Sequence, residues 1–226
     1  MRYLKNKYTI NEDEQTMLSQ KGVAIIGCGG LGQYIASQLC RVGIGWLTIV
    51  DHDVFEESNL NRQLFSNVEN IGKPKAIEAE NQLKLINPDV KIKVFQERFT
   101  SDFPRANLES HELVIDALDS AIDRLTLQQV CKEINLPLIS AAIAGWYGQI
   151  TLIRPGDDTL NLIYKENGGT GMEKILGNPA FTPALTASLQ VTEAVKYLLK
   201  KPTLKSREVL YIDLFDMLFT KKTLTF

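Results

Sequence analysis

Short runs of β-branched and aliphatic residues alternate with longer amphipathic stretches through the first two thirds of the chain. The apolar runs predict five strands, at Val23–Ile26, Leu47–Val50, Ile92–Phe95, Leu113–Ala117 and Leu138–Ser140. The stretches between them predict three helices, at Leu31–Val42, Lys75–Leu85 and Ala121–Asn135. Strands that alternate with helices are typical of a parallel sheet with helices on both faces. We therefore expect an α/β protein with a Rossmann-like, doubly wound, mostly parallel sheet.

The last third of the chain has a different pattern. Gln149–Ile153 alternates polar and apolar residues, as in a half-exposed antiparallel strand. Residues 154–183 are rich in Gly, Pro and Asn, and a loop of that length in a compact domain usually has a function. A helix at Ala184–Lys200 and two late β segments, Val209–Asp213 and Phe219–Phe226, should follow. Antiparallel strands are therefore expected to extend the parallel sheet.

Composition and charge narrow the range of functions. The 226 residues are 44% hydrophobic, which predicts one domain over 1–226, with a helical arm at 1–20 and the last strands within 203–226. A net charge of −2 provides no general attraction to nucleic acid or acidic membranes. Because the chain has no long apolar run and its charged first 20 residues contain no signal-peptide core, we expect a cytoplasmic protein without a membrane partner.

Cysteine and histidine are too few and too scattered for a transition-metal site. Cys28, Cys40 and Cys131 form no Cys-x-x-Cys pair, and His52 and His111 are the only histidines. We therefore expect no zinc, although carboxylates could still bind a hard cation.

A glycine-rich loop predicts a nucleotide site. Gly27-Cys28-Gly29-Gly30-Leu31-Gly32 joins the first predicted strand to the first helix, and Asp51 ends the next strand. Glycines allow the backbone to approach a phosphate, and the acidic residue can bind a ribose hydroxyl. This pattern fits NAD and ATP equally well.

Cationic residues after the second strand favour a triphosphate. Arg62, Lys73 and Lys75 follow that strand, where open α/β sheets bind ligands, and attack on an α-phosphate needs such charges. Asp119 follows a later strand and would hold Mg²⁺, with Asp116 as the alternative ligand. Arg124 could pair with Asp119, bind a phosphate or form a purely structural ion pair.

These motifs together resemble those of the MoeB/ThiF/HesA adenylyltransferases, which are relatives of the ubiquitin-activating enzymes. The resemblance covers nearly everything from Gly22 onward and includes Ser58-Asn59-Leu60-Asn61-Arg62-Gln63, Gly72-Lys73-Pro74-Lys75, Asp116-Ala117-Leu118-Asp119 and Gly148-Gln149-Ile150. It implies binding of ATP and Mg²⁺, and adenylation of the C-terminal Gly-Gly carboxylate of a small ubiquitin-like sulfur carrier of the ThiS or MoaD type, in thiamine or molybdopterin biosynthesis.

The resemblance also assigns site residues. The nucleotide would be bound by Gly27, Gly29, Gly30, Gly32, Asp51, Asp53, Ser58, Asn59, Asn61, Arg62, Gln63, Lys75, Asp119 and Ser120. The catalytic residues would be Arg62, Lys75, Asp119 and Lys5, with Asp119 as the magnesium ligand. Residues 154–183 resemble the family's crossover loop, and the last strands resemble its surface for docking the carrier.

Two departures from the family pattern modify these expectations. The stretch 154–183 contains no cysteine, so the chemistry should stop at the acyl-adenylate. The family forms homodimers in which an N-terminal arginine enters the partner's site, whereas Arg2-Tyr3-Leu4-Lys5-Asn6 has Lys5 at that place. A non-catalytic carrier-binding protein, an NAD-dependent oxidoreductase and an enzyme that adenylates a small molecule or an RNA carbonyl remain as alternatives.

Overall fold

The computed structural model describes residues 2–164 and 172–225, which form an eight-stranded sheet with the strand order β3-β2-β1-β4-β5-β6-β7-β8. The strands are β1 Gly22–Ile26, β2 Trp46–Val50, β3 Lys91–Phe95, β4 Leu113–Asp116, β5 Leu138–Ala144, β6 Tyr147–Ile153, β7 Glu208–Asp213 and β8 Leu218–Thr223. The strands from β1 to β5 pair in parallel, and those from β5 to β8 pair antiparallel. The predicted α/β fold with an antiparallel extension is confirmed.

Helices cover both faces of the sheet. They are α1 Glu12–Leu18, α2 Gly32–Val42, α3 Lys75–Ile86, α4 Ala106–Glu109, α5 Ala121–Glu133, α6 Thr159–Ile163, α7 Glu173–Leu176 and α8 Phe181–Leu198. Within the described residues, none of these helices combines the length and the apolar character needed to cross a bilayer.

The apolar run of β1 is continuous because both faces of this strand are buried. Val23 and Ile25 belong to the core cluster that includes α2, α3 and α8, whereas Ala24 and Ile26 belong to the cluster on the α5 face. Since β2 and β4 lie on opposite sides of β1, the order in which successive strands are added to the sheet reverses at β1. Such a switch point leaves a crevice at the carboxyl ends of the strands.

The C-terminal third differs from the prediction in three ways. Strand β6 should be half exposed, but Ile150–Ile153 is buried on both faces: Ile150 and Leu152 pack with α8, whereas Ile153 packs on the other face with Leu160 of α6. Helix α8 begins at Phe181 rather than at Ala184, and Pro183 lies in its first turn, where a missing N–H costs little. The predicted loop 154–183 contains α6 and α7, and its residues 165–171 lie outside the described part of the chain.

Candidate active site

A cavity of about 580 Å³ lies at the carboxyl edge of the sheet, where the segments after β1 and β4 lead to helices on opposite faces. It brings together most of the residues predicted from the sequence. These are Gly27, Gly29, Gly30, Asp51, Asp53, Ser58, Asn59, Arg62, Gln63, Lys75 and Asp119.

The glycines of the loop have different roles. Gly27 has a φ of +99°, and a Cβ atom there would lie 2.5 Å from the carbonyl oxygen of Ala117. At Gly32, which lies outside the cavity wall, a Cβ would lie 2.1 Å from the carbonyl oxygen of Gly27. At Gly30 a Cβ would meet only ordinary contacts, at 3.5 Å from Pro183 and 3.7 Å from Arg62. Gly27 and Gly32 therefore shape the loop, whereas the space at Gly30 opens towards the cavity.

Asp51 fastens the glycine loop to the end of β2. Its Oδ2 accepts a hydrogen bond from the backbone N–H of Cys28 at 2.5 Å, and its Oδ1 accepts one from Asp53 N at 2.8 Å. Burial raises the pKa of Asp51, and these two hydrogen bonds oppose the rise. The carboxylate thus holds the loop in place while it lines the cavity.

Lys75 is fixed at the start of α3. Its Nζ lies 3.0 Å from Asp53 Oδ2, and its backbone N–H donates to Asp53 O at 3.0 Å. A bridge between Val54 and Pro74 holds the two segments together. Lys73, the other lysine of this motif, does not line the cavity.

The aliphatic part of Arg62 lies over Gly30, and its guanidinium is partly engaged. Nη1 donates to Ser58 O at 2.9 Å and to Asn61 Oδ1 at 2.8 Å. Asn61 itself lies outside the cavity wall and donates to Asn178 O at 3.1 Å. Because Nε and Nη2 of Arg62 make no hydrogen bond within the described residues, they are available to a ligand.

Asn59 lines the cavity, but its side chain is largely engaged in local structure. It is buried in the 3-10 turn Glu57–Asn59, and its Oδ1 accepts a hydrogen bond from Glu56 N at 3.1 Å. Its amide group therefore shapes the turn that presents Arg62.

The two aspartates at the end of β4 have distinct environments. Asp116 is fully buried and accepts hydrogen bonds from Ser140 Oγ at 2.5 Å and from Leu118 N at 2.9 Å. Its partner is Arg124, at 3.6 Å, so among the alternatives for Arg124 the structure shows a buried ion pair, made with Asp116. Burial raises the pKa of Asp116, although Arg124 and Ser140 oppose this effect. Asp116 is thus inaccessible as a metal ligand.

Asp119 is exposed at the cavity and makes no hydrogen bond within the part of the chain that the structure describes. Mg²⁺ in nucleotide sites is usually bound by one or two carboxylates together with phosphate oxygens and water. An accessible single carboxylate therefore fits this ion. Asp51, His52 and Asp53 also cluster within 4.8 Å, but backbone N–H groups and Lys75 engage the two carboxylates.

Besides Gly32 and Asn61, two more predicted residues lie outside the cavity wall, Ser120 and Lys5. The hydroxyl of Ser120 caps α5 by accepting a hydrogen bond from Asp123 N at 3.4 Å. Lys5 belongs to the N-terminal arm, where Tyr3 packs against Gly43 beyond the C-terminal end of α2. The glycine loop is at the other end of this 11-residue helix, roughly 16 Å away. Lys5 can therefore reach such a site only in a second chain.

Sequence reasoning missed several residues of the site. The buried Gln33 amide donates to Cys28 O at 2.8 Å and accepts from Phe65 N at 2.7 Å, which ties the glycine loop to the Arg62 segment. An ion pair between Arg98 and Asp123, at 3.2 Å, forms part of the opposite wall. The only sequence signal for Gln33 was its place as a polar residue in the first turn after the glycine loop. No sequence signal pointed to Arg98 or Asp123.

Comparison with known proteins identifies the family. The model of the family described as "ThiF family" matches residues 3–225. The chain belongs to the ThiF family. The chain is 30% identical over 213 residues to the SAMP-activating enzyme E1 of Haloferax volcanii, covering 93% of this chain and 79% of the relative. It is 32% identical over 191 residues to the molybdopterin-synthase adenylyltransferase of Escherichia coli, covering 82% and 76%.

Coverage of the relatives varies. The E. coli sulfur carrier protein ThiS adenylyltransferase is 34% identical over 143 residues, which span 63% of this chain and 57% of that relative. Among solved structures, E. coli MccB with MccA-N7isoAsn has a TM-score of 0.82 at 20% identity, covering 99% of this chain and 71% of the other. At that identity the likeness shows the fold alone.

Proposed function

We propose that this ThiF family protein is an ATP-dependent adenylyltransferase which activates the C-terminal Gly-Gly carboxylate of a small ubiquitin-like sulfur carrier as an acyl-adenylate. The observation that carries the proposal is that Arg62 and Lys75 border the same cavity as the glycine loop, with Asp119 provided by another strand. Two of the named relatives support the proposal, since one is a sulfur carrier protein ThiS adenylyltransferase and the other a molybdopterin-synthase adenylyltransferase.

The proposed reaction is a displacement at the α-phosphorus of ATP. A carboxylate oxygen of the carrier forms a bond to this phosphorus, the bond from it to the bridging oxygen of the β-phosphate breaks, and pyrophosphate leaves. Negative charge grows on the phosphate oxygens during the step. Arg62 and Lys75 are already oriented by Ser58, Asn61 and Asp53, so stabilising that charge requires little reorganisation.

Asp119 would hold Mg²⁺ at the cavity. The bound ion would neutralise part of the triphosphate charge and polarise the phosphorus. Asp51 would orient the ribose, since its carboxylate borders the cavity while two backbone N–H groups fix it.

The carrier would enter from the side of the antiparallel strands. Trp146 packs against Phe181 and Phe215, with ring centroids 4.6 Å and 5.9 Å apart, and all three rings are exposed. Leu218 and Phe219 at the start of β8 are exposed as well, one on each face of this edge strand. An exposed surface of this kind fits a protein partner. Asn178, which is close in sequence to Phe181, lines the cavity, so a carrier bound at this surface could extend its C-terminus into the site.

We further propose that the protein acts in the cytoplasm as a homodimer in which Lys5 of one subunit provides charge to the site of the other. The absence of cysteine from 154–183 supports a reaction that ends at the acyl-adenylate.

Exchange of labelled pyrophosphate into ATP tests the proposal. Exchange should depend on a ThiS- or MoaD-like carrier from the same organism, and a carrier that lacks its last glycine is the matched control. Exchange that occurs without the carrier would contradict the proposal. So would the absence of exchange in a folded protein that still retains the carrier in a pull-down. In the latter case a non-catalytic carrier-binding role would apply, whereas tighter calorimetric binding of NAD than of ATP with Mg²⁺ would indicate an oxidoreductase.

A further inference from the structure

One buried arginine holds the turn that carries Asp119. The Nε and Nη2 atoms of Arg124 both donate to the carbonyl oxygen of Leu118, at 3.1 Å and 2.6 Å. Nε also lies 3.6 Å from Asp116 Oδ2, and the arginine side chain is only 8% exposed. The guanidinium thus contacts the 116–119 turn immediately before Asp119.

The start of the same turn is fixed from two other elements. Ser140 on β5 donates to the Asp116 carboxylate, and Gln190 on α8 donates to the Asp116 carbonyl oxygen at 2.9 Å. The Asp119 side chain, by contrast, makes no hydrogen bond within the described residues. The position of Asp119 therefore depends on the backbone of the turn, which Arg124 holds at Leu118, the preceding residue.

The guanidinium also reaches the end of α6. Its Nη1 donates to the Tyr164 hydroxyl at 2.7 Å. One turn further along α5, Gln128 accepts a hydrogen bond from Leu160 N at 2.8 Å and donates to Asn161 Oδ1 at 2.6 Å. Helix α6 is therefore docked on α5, and Arg124 joins its end to the 116–119 turn.

We propose that Arg124 is a positioning residue that places Asp119 for Mg²⁺ and links this placement to Tyr164. The inference rests on the proposed role of Asp119 as the magnesium ligand. A planar guanidinium can donate at once to Leu118 O, towards Asp116 and to Tyr164, whereas the ammonium of a lysine is a compact charge that cannot span all three. Arg124 also lines the cavity, and a direct contact with ATP would show as a loss of affinity in EDTA.

The test measures ATP binding by calorimetry at a series of Mg²⁺ concentrations and in EDTA. Arg124→Lys should raise the Mg²⁺ concentration for half-maximal enhancement of ATP affinity about tenfold, because hydrogen bonds to charged groups are lost. Tyr164→Phe, which removes one hydroxyl from a half-buried ring, should raise it about threefold. ATP affinity in EDTA should stay within about twofold of the wild type.

Arg105→Lys is the matched control. Arg105 also donates to two backbone carbonyls, those of Ser101 and Phe103, and pairs with a carboxylate, that of Glu133, but it lies outside the cavity wall. This variant should require the wild-type Mg²⁺ concentration. The inference is overturned if folded Arg124→Lys and Tyr164→Phe reach half-maximal ATP affinity at the wild-type Mg²⁺ concentration. It is also overturned if Arg105→Lys raises that concentration as much as Arg124→Lys does, or if Mg²⁺ does not affect ATP binding. A lack of pyrophosphate exchange would instead contradict the proposed function, because these binding measurements do not depend on turnover.

Discussion

The ammonium group of Lys75 lies 3.0 Å from the Asp53 carboxylate, and the lysine side chain is only 8% exposed. The pair joins the segment after β2 to the start of α3, with a backbone hydrogen bond between the same two residues. A buried lysine in such a setting has little freedom to rotate. Lys75 is therefore placed at the cavity before any nucleotide binds.

Loss of the Lys75 cation should strongly lower the rate of the chemical step. Lys75→Met should lower the rate of pyrophosphate exchange on the order of 100-fold, as for other preorganised charge donors. Asp53→Asn should lower it about tenfold, because the lysine remains but loses its partner. Lys84→Met is the control, since Lys84 pairs with Glu80 on the solvent side of the same helix. A similar loss in the control would show that the effect is not local to the site.

The glycine loop should respond differently at each position. Gly27→Ala and Gly32→Ala should destabilise the fold by more than about 2 kcal/mol, because the new methyl group meets backbone oxygen at 2.5 Å and 2.1 Å. Gly30→Ala should keep the thermal stability and weaken ATP binding, since its methyl group faces the cavity. Thermal unfolding and calorimetry measure the two effects. Equal destabilisation at all three positions would contradict this division of roles.

Arg62 should matter more for the reaction than for binding. In Arg62→Ala the apparent kcat of exchange should fall on the order of 100-fold while KM for ATP changes only a few-fold, because its charge is needed most when pyrophosphate leaves. Arg62→Lys should restore part of the rate as a point charge. A raised KM at unchanged kcat would assign Arg62 to ground-state binding instead.

Complementation between subunits tests the role of Lys5. Lys5→Ala and Lys75→Met should each be poorly active alone, but mixed dimers contain one site with Lys75 and a partner arm with Lys5. After subunit exchange, an equal mixture should recover about a quarter of the wild-type sites. The measurement is exchange activity before and after mixing, with the dimer checked by light scattering. No recovery in a mixture that has exchanged subunits would rule out the contribution in trans.

His111 should make stability depend on pH. Burial lowers the pKa of this histidine from its ordinary value of 6.5. The unfolded chain therefore binds more protons between the folded pKa and 6.5, and the free energy of unfolding should fall as the pH drops through this window. His111→Gln should show a smaller loss between about pH 7 and 5 in denaturant titrations. Asp51 and Asp116 are present in both the wild type and the variant and affect both equally. If their curves of unfolding free energy against pH run parallel, the assignment to His111 is contradicted.

The parts of the fold that the sequence predicts well have local causes. The glycine loop needs specific backbone conformations, and the apolar run of β1 reflects burial on both faces. The errors have tertiary causes. Strand β6 alternates like a half-exposed strand, yet the face opposite α8 is buried too. Ile153 packs there with Leu160 of α6, and the Thr151 hydroxyl donates to Glu208 O.

The site shows the same division between local and tertiary causes. Motif positions predict that Arg62, Lys75 and Asp119 meet, because ends of parallel strands share one edge. The partner of Arg124 could not be predicted from sequence distance, since Asp119 is nearer along the chain than Asp116. The structure favours Asp116 because its carboxylate is buried beside the guanidinium. The role of Asn59 in its own turn likewise became visible only with its hydrogen bonds.

Intact mass spectrometry of the carrier after a single turnover with ATP and Mg²⁺ tests the central claim most directly. The carrier should gain the mass of one AMP moiety at its C-terminal carboxylate, and hydroxylamine should remove it. Arg62→Ala should accumulate this adduct more slowly, and a carrier without its last glycine should gain none. A folded wild-type protein that binds both ATP and the carrier but never yields the adduct would contradict the assignment as an adenylyltransferase.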